Sequence, residues 1–221
     1  MQDFNYFGKI HFNNWIINSN EWLTNGHVNV IQSLMYDKFR YNGFSGFVHP
    51  AKFMSMSPRD FYMNPDTIHE SAFVTVLNAE DHWVTLTNFN PFYADKMNES
   101  GLGIWFMYES LNNHQYYLDK IAPALKRLNI ESGEVRVLAC NMPKQYGLND
   151  CGLFALAYAI AICESKEPSK LLFQQMAMRD NFNNILKTQE LKQFDCYEIN
   201  DNKLVDYEEY FVNLRDVSIN Y

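Results

Sequence analysis

The sequence lacks the patterns that would announce a disulfide scaffold or a metal site. Its four cysteines, Cys140, Cys151, Cys163 and Cys196, stand 11, 12 and 33 residues apart, with no CxxC and no HxxxH pair beside them. No metal ion and no other cofactor is expected. Basic residues are also short: 18 Lys and Arg face 26 Asp and Glu, a net charge of −8. Without a basic stripe, nucleic acid is not an expected partner. No uninterrupted apolar run reaches the ~18–20 residues that cross a bilayer, so no membrane association is expected. The opening MQDFNYFGKIHF has neither the basic start nor the apolar centre of a secretory signal. Together with unpaired thiols, this points to a reducing, intracellular setting, nuclear or cytoplasmic.

What is present suits a packed, ordered domain. Hydrophobic residues make up 47% and charged residues 20%, and aromatics reach 16%, led by 17 Phe and 14 Tyr. No repeat, low-complexity tract or linker divides the chain, so one domain over 1–221 is expected. A helix is predicted within Glu21–Phe39, entered through Thr24 or Asn25 as N-cap, with Val28, Ile31, Leu34 and Met35 facing inward. The Gly-, Pro- and Ser-punctuated stretch Tyr41–Asp60 reads as mostly loop. Phe73–Leu77 and Trp83–Phe89 read as strands joined by a turn at Asn78–Asp81. Gly103–Leu111 and Glu134–Cys140 are two more strands. A helix is predicted over Asn113–Leu128, interrupted or kinked at Pro123. Cys151–Glu164 is a helix, Ser169–Leu191 a further helical region, and the acidic end is the least defined part. Helices at both ends and strands in the middle make an α+β fold.

One stretch, KQYGLNDCGLFALAYAIAIC from Lys144 to Cys163, changes character midway. An apolar, Ala-rich run follows a polar turn that carries a thiol. A free cysteine in an apolar helix is most often core, and Cys163 is read that way. Cys151 sits instead at a helix start, where the partial positive charge favours a thiolate. Gly152 beside it leaves room for a close approach to the sulfur. A cysteine nucleophile also needs a base. Of the six histidines, His82 opens a strand at a hairpin corner, whereas His27 and His114 read as helix-surface or capping residues. A third group must orient the imidazole. Glu109, at the end of the next strand, fits best; Asp81 points the wrong way along its strand, and Asp95 in the connecting loop is a weaker candidate.

These pieces together resemble the Ulp/SENP-type ubiquitin-like-protein proteases, relatives of the adenovirus protease. In that family His-Trp opens a strand, an acidic residue ends the following strand, and a glutamine lies six residues before the cysteine of a D-C-G turn. Here His82-Trp83, Glu109, Gln145 and Asp150-Cys151-Gly152 occur in that order, and WLTNGHVN from Trp22 is similar to the family's W-L-N-D-x-x-I-N segment. The resemblance covers about 22–191, leaving 192–221 as an acidic tail.

It implies a papain-like cysteine protease core of the adenovirus-protease/Ulp type: a central mixed sheet with the nucleophile at the N-terminus of a buried helix. It further implies that Cys151 attacks, His82 manages the proton, Glu109 orients His82, and Gln145 helps form the oxyanion hole. Trp83 and Trp22 would wall a channel narrow enough to admit only a Gly-Gly-like tail. The implied substrate is a ubiquitin-like modifier, ubiquitin- or SUMO-like, or a glycine-containing polyprotein site. An acyltransferase of the same superfamily and a non-catalytic modifier-binding module stay open. The glutamate at position 109 departs from the aspartate usual in the SUMO-protease branch and matches the adenovirus branch.

Overall fold

The computed structural model describes residues 12–47, 72–91, 103–129, 133–199 and 205–218. In chain order its elements are α1 (Asn25–Phe39), β1 (Phe44–Ser45), β2 (Ala72–Asn78), β3 (Trp83–Thr87), β4 (Ile104–Tyr108), α2 (His114–Leu128), β5 (Glu134–Cys140), α3 (Cys151–Cys163), β6 (Leu171–Phe173), α4 (Met178–Thr188), β7 (Cys196–Glu198) and β8 (Tyr207–Asn213). Six strands form one mixed sheet in the order β1-β2-β3-β4-β5-β8, and β6 and β7 form a separate two-stranded pair. β1/β2 and β4/β5 run parallel, and the remaining neighbours antiparallel.

The strands read as nearly continuous apolar runs because both faces of the sheet are covered. Alternate residues go to opposite sides. Phe73, Leu77, Val84, Leu86, Trp105 and Met107 pack with Tyr117, Leu118, Ile121 and Leu125 of α2. Val74, Val76, Trp83, Phe106 and Tyr108 pack on the other side with α1, α3 and α4. Each such fully buried aliphatic or aromatic side chain contributes ~1.5–3 kcal/mol. Helix α3 lies in the middle of this second layer, with all 13 of its residues buried, and packs on β2, β3 and α1. The buried Thr85 hydroxyl donates to the Ala155 carbonyl at 2.7 Å, tying β3 to α3.

Several expectations are met closely. Thr24 caps α1, its hydroxyl accepting from the His27 amide while the His27 ring accepts from the Thr24 amide. Helix α2 departs from expectation by running unbroken through Pro123. The carbonyl that loses its partner there belongs to Asp119, which is exposed, so solvent can satisfy it.

The helical region expected over Ser169–Leu191 is helical only in its second half. Leu171–Phe173 instead pairs with Cys196–Glu198 as β6 and β7, a tertiary pairing that overrides local propensity. Of the expected loop at Tyr41–Asp60, residues 41–47 hold a short turn of helix and β1, and the remainder lies outside the described residues. The acidic end carries β8, which pairs with β5 from Glu134↔Asn213 to Cys140↔Tyr207. Among the described residues no helix is long and apolar enough to cross a membrane.

Candidate active site

The site begins at the first turn of α3. The helix is apolar enough to be fixed in the core on every side, and its N-terminus presents Cys151, a free thiol that is 2% exposed. Asp150 occupies the N-cap position but does not cap. Its carboxylate is taken by Arg179 at 2.7 Å and by Gln175 at 2.6 Å. The positive end of the helix dipole at Cys151 is therefore not offset by a capping anion. Arg179 also donates to the carbonyls of Asn18, Glu21 and Asn149, stitching the segment before Trp22 to the loop before Cys151.

His82 precedes β3, and Glu109 follows β4. Because Thr85 pairs with Tyr108, the start of one strand lies beside the end of the other. The His82 Nε2 to Glu109 Oε2 distance is 3.3 Å, with both side chains buried. His82 also interacts with Cys151; with Nε2 turned to Glu109, Nδ1 is the nitrogen left for the sulfur. The imidazole is stacked on Tyr117 of α2, ring centroids 4.3 Å apart and planes inclined by 24°. Burial works against a charged His82, but the contacts with Cys151 and Glu109 prevail and raise it to about 9.

Glu109 is more heavily engaged than the sequence suggests. Oε2 accepts from the Leu111 amide at 2.7 Å, and Oε1 accepts from the Asn113 amide. A second imidazole, His114 Nδ1, stands 3.1 Å from Oε1. Burial alone would raise the carboxyl, yet His114, His82 and the Leu111 amide together hold it down at about 2. Both imidazoles approach at ion-pair distance but off the axis of a linear hydrogen bond. Charge attraction in a buried setting, rather than hydrogen-bond directionality, therefore governs these two contacts.

The other expected site residues take varied positions. Gln145 is buried, its backbone amide on the Ser110 carbonyl at 3.0 Å. Its Oε1 accepts from the Ser110 hydroxyl at 2.5 Å, and its Nε2 donates to the Gly147 carbonyl at 2.9 Å. Trp83 lies in the core, and its indole N–H donates to the Leu23 carbonyl at 3.1 Å. Trp22, next in the chain to Leu23, is 43% exposed. What crowds Gly152 is this same segment: a Cβ there would meet Leu23 Cβ and Cδ1 at 2.9 Å. Asp81 is exposed, and Asp95 lies outside the described residues. Of the candidates among the described residues, Glu109 is the one beside the ring.

Sequence reasoning missed Tyr117 and misplaced His114, which is 3% exposed rather than on the helix surface. Both sit on one face of α2, three residues apart, and that spacing is the signal that could have marked them. A cleft of about 1130 Å³ borders the site on the Asp150 side, lined among others by Asn20, Tyr146, Asp150, Met176 and Tyr197; neither Cys151 nor His82 lines it.

No protein-family model and no curated protein matches the chain by sequence. Solved structures do match. A de-sumoylating protease aligns over 80% of this chain and 83% of its own at a TM-score of 0.54 and 14% identity. The C-terminal Ulp1 protease domain, solved in complex with Smt3, the yeast ortholog of SUMO, aligns over 80% of each chain at 0.56 and 12%. The SUMO protease Ulp1 with its catalytic cysteine oxidised to a sulfenic acid aligns over 80% of this chain and 82% of its own at 0.55 and 11%. At these identities the likeness establishes architecture: the chain has the α+β fold of the Ulp1-type cysteine proteases.

Proposed function

We propose that the chain is a cysteine peptidase acting after a glycine-terminated tail, either of a ubiquitin-like modifier or at a glycine-containing site in a polyprotein. The observation that carries this reading is the buried Cys151–His82–Glu109 line at a helix start, within a fold otherwise seen in SUMO proteases. The raised His82 favours an imidazolium at neutral pH, the partner a thiolate needs. Cys151 Sγ attacks the glycine carbonyl carbon, and the π electrons move to the carbonyl oxygen. That oxyanion is met by a backbone N–H of the Cys151 turn and by the Gln145 amide, whose second N–H is not the one given to Gly147. Collapse breaks the C–N bond as His82 protonates the departing amine, and water then releases the acyl group from sulfur. Loss of one oxyanion donor typically costs ~3–4 kcal/mol of transition-state stabilisation.

Trp83 is buried and its indole N–H holds the Leu23 carbonyl, which fixes the segment carrying the half-exposed Trp22; an indole fixed in this way suits the wall of a channel for a tail with no side chains. Ulp1 was solved holding Smt3, so small ubiquitin-like modifiers are the first substrates to test. The unpaired cysteines fit a reducing nuclear or cytoplasmic compartment.

The test is labelling of the protein and of Cys151→Ala with ubiquitin-like modifiers carrying C-terminal electrophiles, beside a small thiol-reactive probe. A covalent adduct with one modifier, absent from the variant, is the expected result. Labelling by the small probe alone moves the substrate to a polyprotein or to acyl transfer. No labelling at all overturns the enzymatic reading in favour of a modifier-binding module.

A further inference from the structure

Glu109 is flanked by two imidazoles, and a triad needs only one. His114 is the first residue of α2, where the helix dipole disfavours a cation. A histidine buried at that point therefore requires a local reason, which its two ring nitrogens supply. Nε2 lies 3.1 Å from Asn141 Oδ1. The Asn141 amide cannot turn round, because its Nδ2 donates to the Asp206 carboxylate at 3.0 Å, and a carboxylate accepts but does not donate. Nε2 must therefore carry a proton. Nδ1 stands 3.1 Å from Glu109 Oε1, off the axis of a linear hydrogen bond but close enough for the buried carboxylate to favour a proton on it as well. Both nitrogens protonated makes an imidazolium.

Resting on the reading of Cys151, His82 and Glu109 as the catalytic line, we infer that His114 is a positioning residue: a standing imidazolium that pins the far oxygen of Glu109. The carboxylate is thereby kept ionised and aimed at His82. A glutamate has one more rotatable bond than an aspartate, so it gains more from being held at both oxygens. With the Leu111 and Asn113 amides, each Glu109 oxygen meets one backbone N–H and one imidazole. The charges also balance: thiolate and carboxylate against two imidazolium rings, in a pocket where an excess of either sign is costly.

The groups facing His114 are Glu109 after β4, Asn141 after β5, Glu208 on β8 and, through Asn141, Asp206. Those facing His82 are Cys151, Glu109 and Tyr117, with Asp81 acting on Tyr117. His114 is raised above the usual histidine value, burial opposing and the Glu109 and Asn141 contacts prevailing.

Two measurements on the full chain test this without knowledge of the substrate. Nitrogen-detected spectra of the imidazoles, with His114 assigned by comparison with His114→Asn, should show both ring nitrogens protonated at pH 7; one bare nitrogen overturns the inference. The pH profile of Cys151 alkylation by iodoacetamide should move to higher pH in His114→Asn, which keeps a donor near Nδ1 and removes the charge. Losing a positive charge disfavours the thiolate and favours the His82 imidazolium, so both limbs shift upward. A purely structural role would lower stability and leave the profile in place, and a superimposable profile overturns the proposal. If the variant fails to fold, His114 is assigned in the wild type through its backbone connectivity to Asn113 and Gln115, and that nitrogen spectrum decides. A wild-type Cys151 that never alkylates overturns the catalytic reading itself, whereas a neutral His114 in a protein that does alkylate overturns only this inference.

Discussion

Glu109 is the residue on which the electrostatics of the site turn, and its charge leaves a signature in two pH ranges. His82, raised from 6.5 to about 9, contributes stability that is complete below 6.5 and is lost as pH rises through 9. Glu109, lowered from 4.5 to about 2, contributes stability that is present above 4.5 and is lost as pH falls through 2. Replacing Glu109 by Gln keeps the shape and removes the charge. The alkaline limb of Cys151 alkylation, expected near 9 in the wild type, should then fall toward an ordinary histidine value. The wild type is expected to lose melting temperature between pH 6.5 and 9, and this loss should flatten in the same variant. An alkaline limb that stays near 9 in Glu109→Gln would show that Cys151 alone holds His82 charged.

At the scale of elements, the site depends on how closely three pieces of chain approach: the Trp22–Leu23 segment, the start of β3 and the start of α3. Leu23 is the joint. Its carbonyl receives the Trp83 indole and its side chain lies against Gly152. Gly152→Ala would bring a Cβ to 2.9 Å from Leu23, an overpacking expected to cost about 1–3 kcal/mol. Leu23→Ala, truncating a buried side chain, should cost ~2–5 kcal/mol alone. Together they should destabilise less than the sum of the two, because the second removes the atoms the first collides with. Chemical denaturation of the four proteins reads this coupling. Strict additivity would mean that the segment moves away as a unit and that the approach is not required for folding.

Across the whole molecule, the acidic end behaves as part of the sheet. β8 covers β5 along seven paired positions and is itself half exposed, with Glu208 and Glu209 both exposed and Glu209 paired to Arg136. Charge on an edge strand discourages pairing with another molecule, which gives the tail's acidity a structural reason. Truncation after Ile199 would leave β5 as an uncovered, largely buried-type edge. The truncated protein should aggregate and elute in the void volume in gel filtration, whereas a stable, soluble product would show β8 to be dispensable. The same truncation removes Asp206 and Glu208, so the environment of His114 is assembled partly from the far end of the chain.

Much of this was readable from local pattern. Periodicity marks which faces are buried, so the central strands, α1 with its Thr24 cap, and the thiol at the head of an apolar helix could all be placed from residue types and spacing. His82, Glu109 and Cys151 could be singled out from residue type and position, whereas Gln145 and the order of the four entered only through the resemblance to the Ulp/SENP-type proteases. Local pattern does not say what a buried face meets. His114 and Tyr117 share a face of α2, but their contact with Glu109 and His82 exists only because α2 folds back across the sheet. Asp150 looks like an ordinary N-cap until Arg179, 29 residues on, takes its carboxylate. Short or half-exposed strands such as β6, β7 and β8 carry little alternation of their own, and their partners define them. Sequence by itself determined the candidate groups and most of the elements that hold them. The tertiary structure decided what surrounds those groups, because the burial and the opposing charges around them come from distant parts of the chain.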